Sequence, residues 1–207
     1  MNKHLQLKNA LADNNFQISN EIQQKMIFFL ELMEKWNAVF NLTAIRDFEK
    51  SIWIHLIDSL MIQSYVRGDR VIDVGSGAGL PGIPLALIFP DKHFVLLDSN
   101  GKKTRFIQQA VVELGLNNIE VIQSRVENYR PEQRFDSIIT RAFATLAVML
   151  ERTAHLLARQ GQFLAMKGVY PAEEITSIPA GFNLIAAHRF EIKGLEAERH
   201  LICIERS

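Results

Sequence analysis

Residues 71 to 86, VIDVGSGAGLPGIPLA, hold the spacing richest in chemistry: an apolar run ends on Asp73 and Val74 and opens into Gly75, Gly77 and Gly79 before resuming. A glycine turn after a strand lets the backbone approach a nucleotide closely. Gly77, Gly79 and Gly82 do satisfy GxGxxG, but the first glycine after the strand is Gly75, and counted from it the third required position is Leu80. Pro81 removes an amide donor from the would-be phosphate loop. Asp73 weighs more, because a carboxylate roughly 4 to 6 Å from a phosphate costs about 3 to 4 kcal/mol per charge at an effective dielectric of about 20. The turn therefore suits a nucleoside without phosphates, and an NAD-dependent oxidoreductase is disfavoured.

Two more acids stand at strand ends where such a ligand would use them. Asp98 closes FVLLD and can accept both ribose hydroxyls, although dinucleotide folds place an acid there too. Glu127, in SRVENY, can accept from an adenine amino group while the backbone of Val126 meets a ring nitrogen. S-adenosylmethionine carries an ammonium and a sulfonium and no phosphate, so it is the cofactor that Asp73, the glycines, Asp98, Val126 and Glu127 together imply.

Those residues need a parallel sheet to bring them to one edge, and the pattern supplies it. VIDV (71–74), FVLLD (94–98), IEVIQ (119–123), FDSIIT (135–140) and GQFLAMK (161–167) alternate with helical stretches at about 82–89, 102–114 and up to about Leu157. A short helix over PAEEITSIP follows. FNLIAAHRFEI and RHLICIER, with no helix between them, are expected to pair as an antiparallel hairpin. Ahead of residue 67 the pattern is helical: Met26, Leu30, Met33, Trp36 and Phe40 form one apolar face, and IWIHLIDSLMIQSYV carries a second helix after NLTAI. The expected organisation is a helical region over 1–66 and a methyltransferase domain over 67–207.

The charges balance, 23 basic against 23 acidic, so no whole-molecule field points to a polyanion, and RNA contact has to come from a local rim. Lys102, Lys103, Arg125, Arg141 and Lys167 all follow strand ends and form that rim. His55 and Asp58, one helical turn apart, are candidates for the same crevice. One cysteine, Cys203, excludes an internal disulfide, and no Cys/His set has zinc spacing, so no metal is expected. No apolar run approaches a membrane span and the N-terminus lacks an export signal, so a soluble cytoplasmic protein is expected.

The chain resembles the RsmG family, also called GidB or glucose-inhibited division protein B, in DVGSGAGLPGIPLA, LLDSNGKKTRF, SRVENY, FDSIITRAFA and the MKG of FLAMKG. NLTAI and WIHLIDSL match as well, so the resemblance covers nearly the whole chain. It implies a Rossmann-like class I S-adenosylmethionine-dependent methyltransferase fold with an N-terminal helical extension, which makes the region over 1–66 a candidate RNA-docking platform. It also implies methyl transfer to nitrogen 7 of a guanine in 16S ribosomal RNA, as naked RNA or in the small subunit or an assembly intermediate. The cofactor contacts it implies are Gly75, Leu80, Val126, Glu127 and Arg141. A monomer with no DNA or membrane partner is expected.

The chemistry agrees on separate grounds. After the fourth strand stands TRAF, not the Asn/Asp-Pro-Pro-aromatic loop of exocyclic-amine methylation, and Cys203 lies inside an alternating strand rather than at a site for pyrimidine attack. Nitrogen 7 has a free lone pair, so its methylation needs position and dryness rather than a general base. Phosphate contacts would fix orientation, and Arg141 or Lys167 could reach the guanine edge. The residues alone leave open a small-molecule methyltransferase and a cofactor-binding assembly factor without turnover.

Overall fold

The computed structural model of the chain describes residues 2–207. Its scaffold is a seven-stranded sheet in the order β3-β2-β1-β4-β5-β7-β6. β1 (Arg70–Val74), β2 (His93–Asp98), β3 (Ile119–Gln123), β4 (Phe135–Arg141) and β5 (Leu157–Lys167) run parallel. β6 (Phe182–Phe190) and β7 (Arg199–Arg206) form the expected antiparallel pair, and β7 inserts between β5 and β6, antiparallel to both.

Both faces of the sheet are covered, and the period-two alternation sends residues to each. Phe94 and Leu96 of β2 face one apolar cluster while Val95 and Leu97 face the other. The first cluster gathers α1 (Lys3–Asp13) and α2 (Asn20–Phe40) with α5 (Gly82–Ile88) and α6 (Gly101–Leu114). Phe29 and Trp36 of α2 lie 6.1 and 5.7 Å from the Phe106 ring of α6, so the N-terminal helices share their core with the sheet layer. The second cluster packs α7 (Leu146–Thr153) on the opposite face, beside the short α8 (Ala172–Thr176).

Two elements differ from the sequence expectation. The helix expected over 52–66 is broken into α3 (Phe48–Ser51), a π-helical turn (Ile52–Ile57), α4 (Asp58–Leu60) and a 3-10 turn (Gln63–Tyr65). The Asp58 N–H bonds five residues back to the Trp53 carbonyl, and a wide turn of this kind re-aims the side chains on either side of it. The helix after the fourth strand is expected to reach about Leu157; the α-helix ends at Thr153, a 3-10 turn (Ala154–Leu156) continues it, and Leu157 opens β5 against Phe135 across a bulge. Leu157 keeps the apolar spacing of α7, which is why the pattern reads as helix there.

Candidate active site

β1 ends beside Asp73, β2 on Asp98, β4 on Arg141 and β5 on Lys167, so one edge of the sheet collects these side chains. Open α/β sheets bind ligands at that edge. Between β1 and α5 the chain turns through Gly75, Gly77 and Gly79 at φ +74°, +59° and +79°. The Gly75 N–H donates to the Leu97 carbonyl at 2.8 Å, tying the turn to β2. A Cβ at Gly75 would stand 3.0 Å from Phe143 Cδ2, so conformation and space both demand glycine there.

Asp98 organises the pocket in front of this turn. Its Oδ2 accepts the Gly77 N–H at 2.9 Å and its Oδ1 accepts the Asn100 N–H at 2.8 Å. Each oxygen retains acceptor capacity for a ligand hydroxyl. The pocket measures about 250 Å³, and Gly75, Asp98, Lys103, Arg125, Val126 and Glu127 are among its walls. Gly75, Asp98, Val126 and Glu127 thus come together, whereas Asp73, Gly77, Leu80 and Arg141 do not line that wall.

Asp73 lies beneath the turn with no exposed surface, its Oδ2 accepting the Gly82 N–H at 2.9 Å and its Oδ1 unpartnered. Burial, opposed in part by that hydrogen bond, pushes its pKa up to about 7. Burial thus works against the charge that the sequence reading gave Asp73, and Asp98 is the acid that lines the pocket. Leu80 is buried and its N–H goes to the Ser76 carbonyl at 3.0 Å. The acceptors of Asp98, with the orphan oxygen of Asp73 below, fit a hydroxyl-bearing, cationic, phosphate-free nucleoside such as S-adenosylmethionine.

Arg141 points into a neighbouring cavity of about 440 Å³. Its Nη1 donates to Asp58 Oδ2 and to the Ile54 carbonyl, both at 3.3 Å. Ala142, the next residue, lines both cavities and takes φ +51°, so it stands between the two spaces where the chain leaves β4. His55 lies at the wall of the second cavity, its Nε2 3.1 Å from Thr43 Oγ1. Burial and the nearby Arg141 guanidinium hold its pKa down at about 4, so the imidazole is neutral at pH 7.

The expected cationic rim is only partly available. Lys102 and Arg125 are exposed and Lys103 is half-buried beside the first pocket. Lys167 is committed elsewhere: its Nζ donates to Glu174 Oε2 at 2.7 Å and to the Ala144 carbonyl at 2.9 Å. Glu174 Oε2 also accepts the Leu146 N–H that opens α7, so Lys167 ties the β4–α7 loop to α8. Glu127 pairs with Arg152 at 3.3 Å.

Sequence reasoning passed over Phe143, Arg152, Arg199 and His200. Phe143 sat in the quoted TRAF without a role. Arg199 and His200 reach the site only because β7 inserts beside β5, and no local pattern signals that. Among the described residues no group of three or more His, Cys, Asp or Glu could hold a metal ion, and no helix is long and apolar enough to cross a membrane.

Residues 22–202 match the model of the GidB family, described as rRNA small subunit methyltransferase G. A protein named ribosomal RNA small subunit methyltransferase G from Marinobacter nauticus is 48% identical over 202 residues, covering 98% of this chain and 94% of its own. The protein of that name from Shewanella amazonensis is 48% identical over 196 residues, covering 95% of each chain. Among solved structures, a SAM-dependent methyltransferase from Thiobacillus denitrificans in complex with S-adenosyl-L-homocysteine superposes with a TM-score of 0.59 at 13% identity. That likeness covers 82% of this chain and 98% of the other, and it shows a shared fold. The chain belongs to the rRNA small subunit methyltransferase G family.

Proposed function

We propose that this protein transfers a methyl group from S-adenosylmethionine to nitrogen 7 of a guanine in 16S ribosomal RNA. The observation that carries the reading is the family match over residues 22–202. The site is consistent with it: a glycine-turn pocket and a second cavity large enough for a small-molecule-sized guest share Ala142 as a lining residue. When bound, S-adenosylmethionine supplies an electrophilic methyl carbon; the N7 lone pair forms the new bond as the carbon–sulfur pair returns to sulfur, and no proton changes hands.

The residues of the chain bind and orient. In this reading Asp98 accepts the ribose hydroxyls, Val126 and Glu127 meet the adenine, and Gly75 and Gly77 let the backbone approach. Leu80 acts through the buried packing that holds the turn. Asp73 lies below the turn and balances a cationic ligand. Arg141 holds the junction between the two cavities. His55 is neutral and Lys167 is ion-paired, and attack by the N7 lone pair needs no general base from either.

Lys103 and Arg125 line the first pocket, Lys102 precedes Lys103 in the first turn of α6, and the three would fix the RNA through phosphates. Residues 1–66 form the docking layer and 67–207 the methyltransferase domain, the first contributing Ile54, His55, Asp58 and Ile62 to the second cavity. The substrate is the small ribosomal subunit or an assembly intermediate, met in the cytoplasm by a monomer.

The test is to incubate the protein with labelled S-adenosylmethionine and small-subunit RNA or particles, then to digest and analyse nucleosides by mass spectrometry. The reading predicts 7-methylguanosine. Label in another nucleoside, in a small molecule only, or nowhere would contradict it.

A further inference from the structure

We propose that the cavity bounded by Asp58, Arg141 and Arg199 is the acceptor-base pocket, in which two guanidinium groups held by one carboxylate read guanine O6 and leave N7 open to the methyl donor. The proposal rests on the RNA-methylation reading above.

Asp58 comes from α4, Arg141 from the end of β4 and Arg199 from the start of β7. The Asp58 side chain is only 6% exposed, and both of its oxygens are taken: Oδ1 accepts Arg199 Nε at 2.8 Å and Oδ2 accepts Arg141 Nη1 at 3.3 Å. Arg199 Nη1 donates to the Glu198 carbonyl at 2.8 Å. Among the described residues the Nη2 group of neither arginine has a protein hydrogen-bond partner, and both side chains keep about a quarter of their surface exposed. Two donor groups are therefore unspent on residues that line the cavity. Ile54, Ile62, Met166 and Phe190 supply apolar surface around them. Apolar walls with a few fixed donors suit a flat heteroaromatic ring carrying an acceptor on its edge.

The donors select the base. A guanidinium has donors only, so it pairs with guanine O6 and faces the amino group of adenine unproductively. Arginine in duplex readout takes O6 and N7 together. Here N7 is the reacting atom, so only O6 is available to the arginines. Asp58 holds one arginine on each of its oxygens and acts through them, as a positioning residue. It also holds the cluster at a net charge of +1 instead of +2, which matters because methylation moves positive charge from sulfur onto the base. Ala142 lines this cavity and the glycine-turn pocket alike, so donor and acceptor can meet there.

The experiment uses the full chain and small-subunit RNA carrying either guanine or 2-aminopurine, which keeps N7 and lacks O6, at the methylated position. Rates are compared for the wild type, Arg199→Ala and Arg199→Lys, with thermal unfolding and cofactor titration as controls. The intrinsic reactivities of the two bases cancel in the ratio of ratios. The wild type is expected to prefer guanine by roughly 10- to 100-fold. Arg199→Ala is expected to lower the rate on guanine and narrow that preference to within about threefold, with cofactor affinity unchanged, while Arg199→Lys retains an intermediate preference. A preference that stays at the wild-type value in Arg199→Ala, or in Arg199→Lys should the alanine variant not fold, overturns the proposal. Equal loss on both bases, with a changed salt dependence, would mean that the cavity holds a backbone phosphate, and also overturns it. A wild type that methylates no RNA defeats the underlying reading first and is distinguishable by that.

Discussion

The two cavities that share Ala142 as a lining residue are built by different means. The pocket in front of Gly75 is made of one strand–turn–helix unit and the ends of its neighbouring strands, with backbone N–H groups ordering the Asp98 carboxylate. The second cavity is lined by residues from five separate stretches of the chain, and three of these stretches are joined by one buried carboxylate between two guanidinium groups. A backbone-built pocket tolerates changes in its side chains one at a time. A cluster of charges does not, because removing one member strands the others at low dielectric.

Asp58→Ala should therefore have the largest effect on the protein. It leaves two mostly buried guanidinium groups facing each other, and the expected loss is roughly 3 to 5 kcal/mol of unfolding free energy, measured by urea denaturation. A loss below about 1 kcal/mol would mean that the cluster is solvated like a surface pair.

Asp73 comes next and tests the floor of the first pocket. Its folded pKa, near 7, lies above its unfolded value of 3.8, so the native state binds the proton more tightly and stability falls as pH rises between them. Wild-type stability should drop by roughly 2 kcal/mol between about pH 5.5 and 7.5, and Asp73→Asn, which can still accept the Gly82 N–H, should flatten that slope. An identical slope in both proteins would place the titration elsewhere.

Asp98→Ala should weaken S-adenosylmethionine binding by about 1 to 3 kcal/mol in titration calorimetry, through lost ribose hydrogen bonds and a loosened Gly77 turn. Unchanged affinity would remove Asp98 from the cofactor site. The smallest effect is expected from Arg125→Ala, which should leave base preference alone and lower the salt dependence of RNA binding by about one phosphate contact. A change in base preference would move Arg125 from the rim to the base.

The same contrast explains what could be read in advance. Strand ends, the glycine turn and Asp98 are legible because they lie in order along the chain and the parallel sheet brings ordered segments to one edge. The partners of Asp58 are not, since Arg199 lies 141 residues away and arrives only through the insertion of β7. Asp73 is legible at the end of β1, but its complete burial is not, because that depends on how Gly82 and the sheet exclude water. Lys167 read as a free cation for a similar reason: Glu174 lies seven residues on, and nothing local announces that α8 folds back to meet it. The break in the helix over 52–66 was hidden because a π-turn preserves the apolar character of a helix while changing its phase.

The most direct measurement is a crystal structure of the protein with S-adenosyl-L-homocysteine bound. The account predicts ribose hydroxyls on Asp98, the adenine beside Val126 and Glu127, and the sulfur at Ala142 facing the cavity of Arg141 and Arg199. A ligand whose sulfur turns away from that cavity, or whose amino-acid tail fills it, would contradict the account.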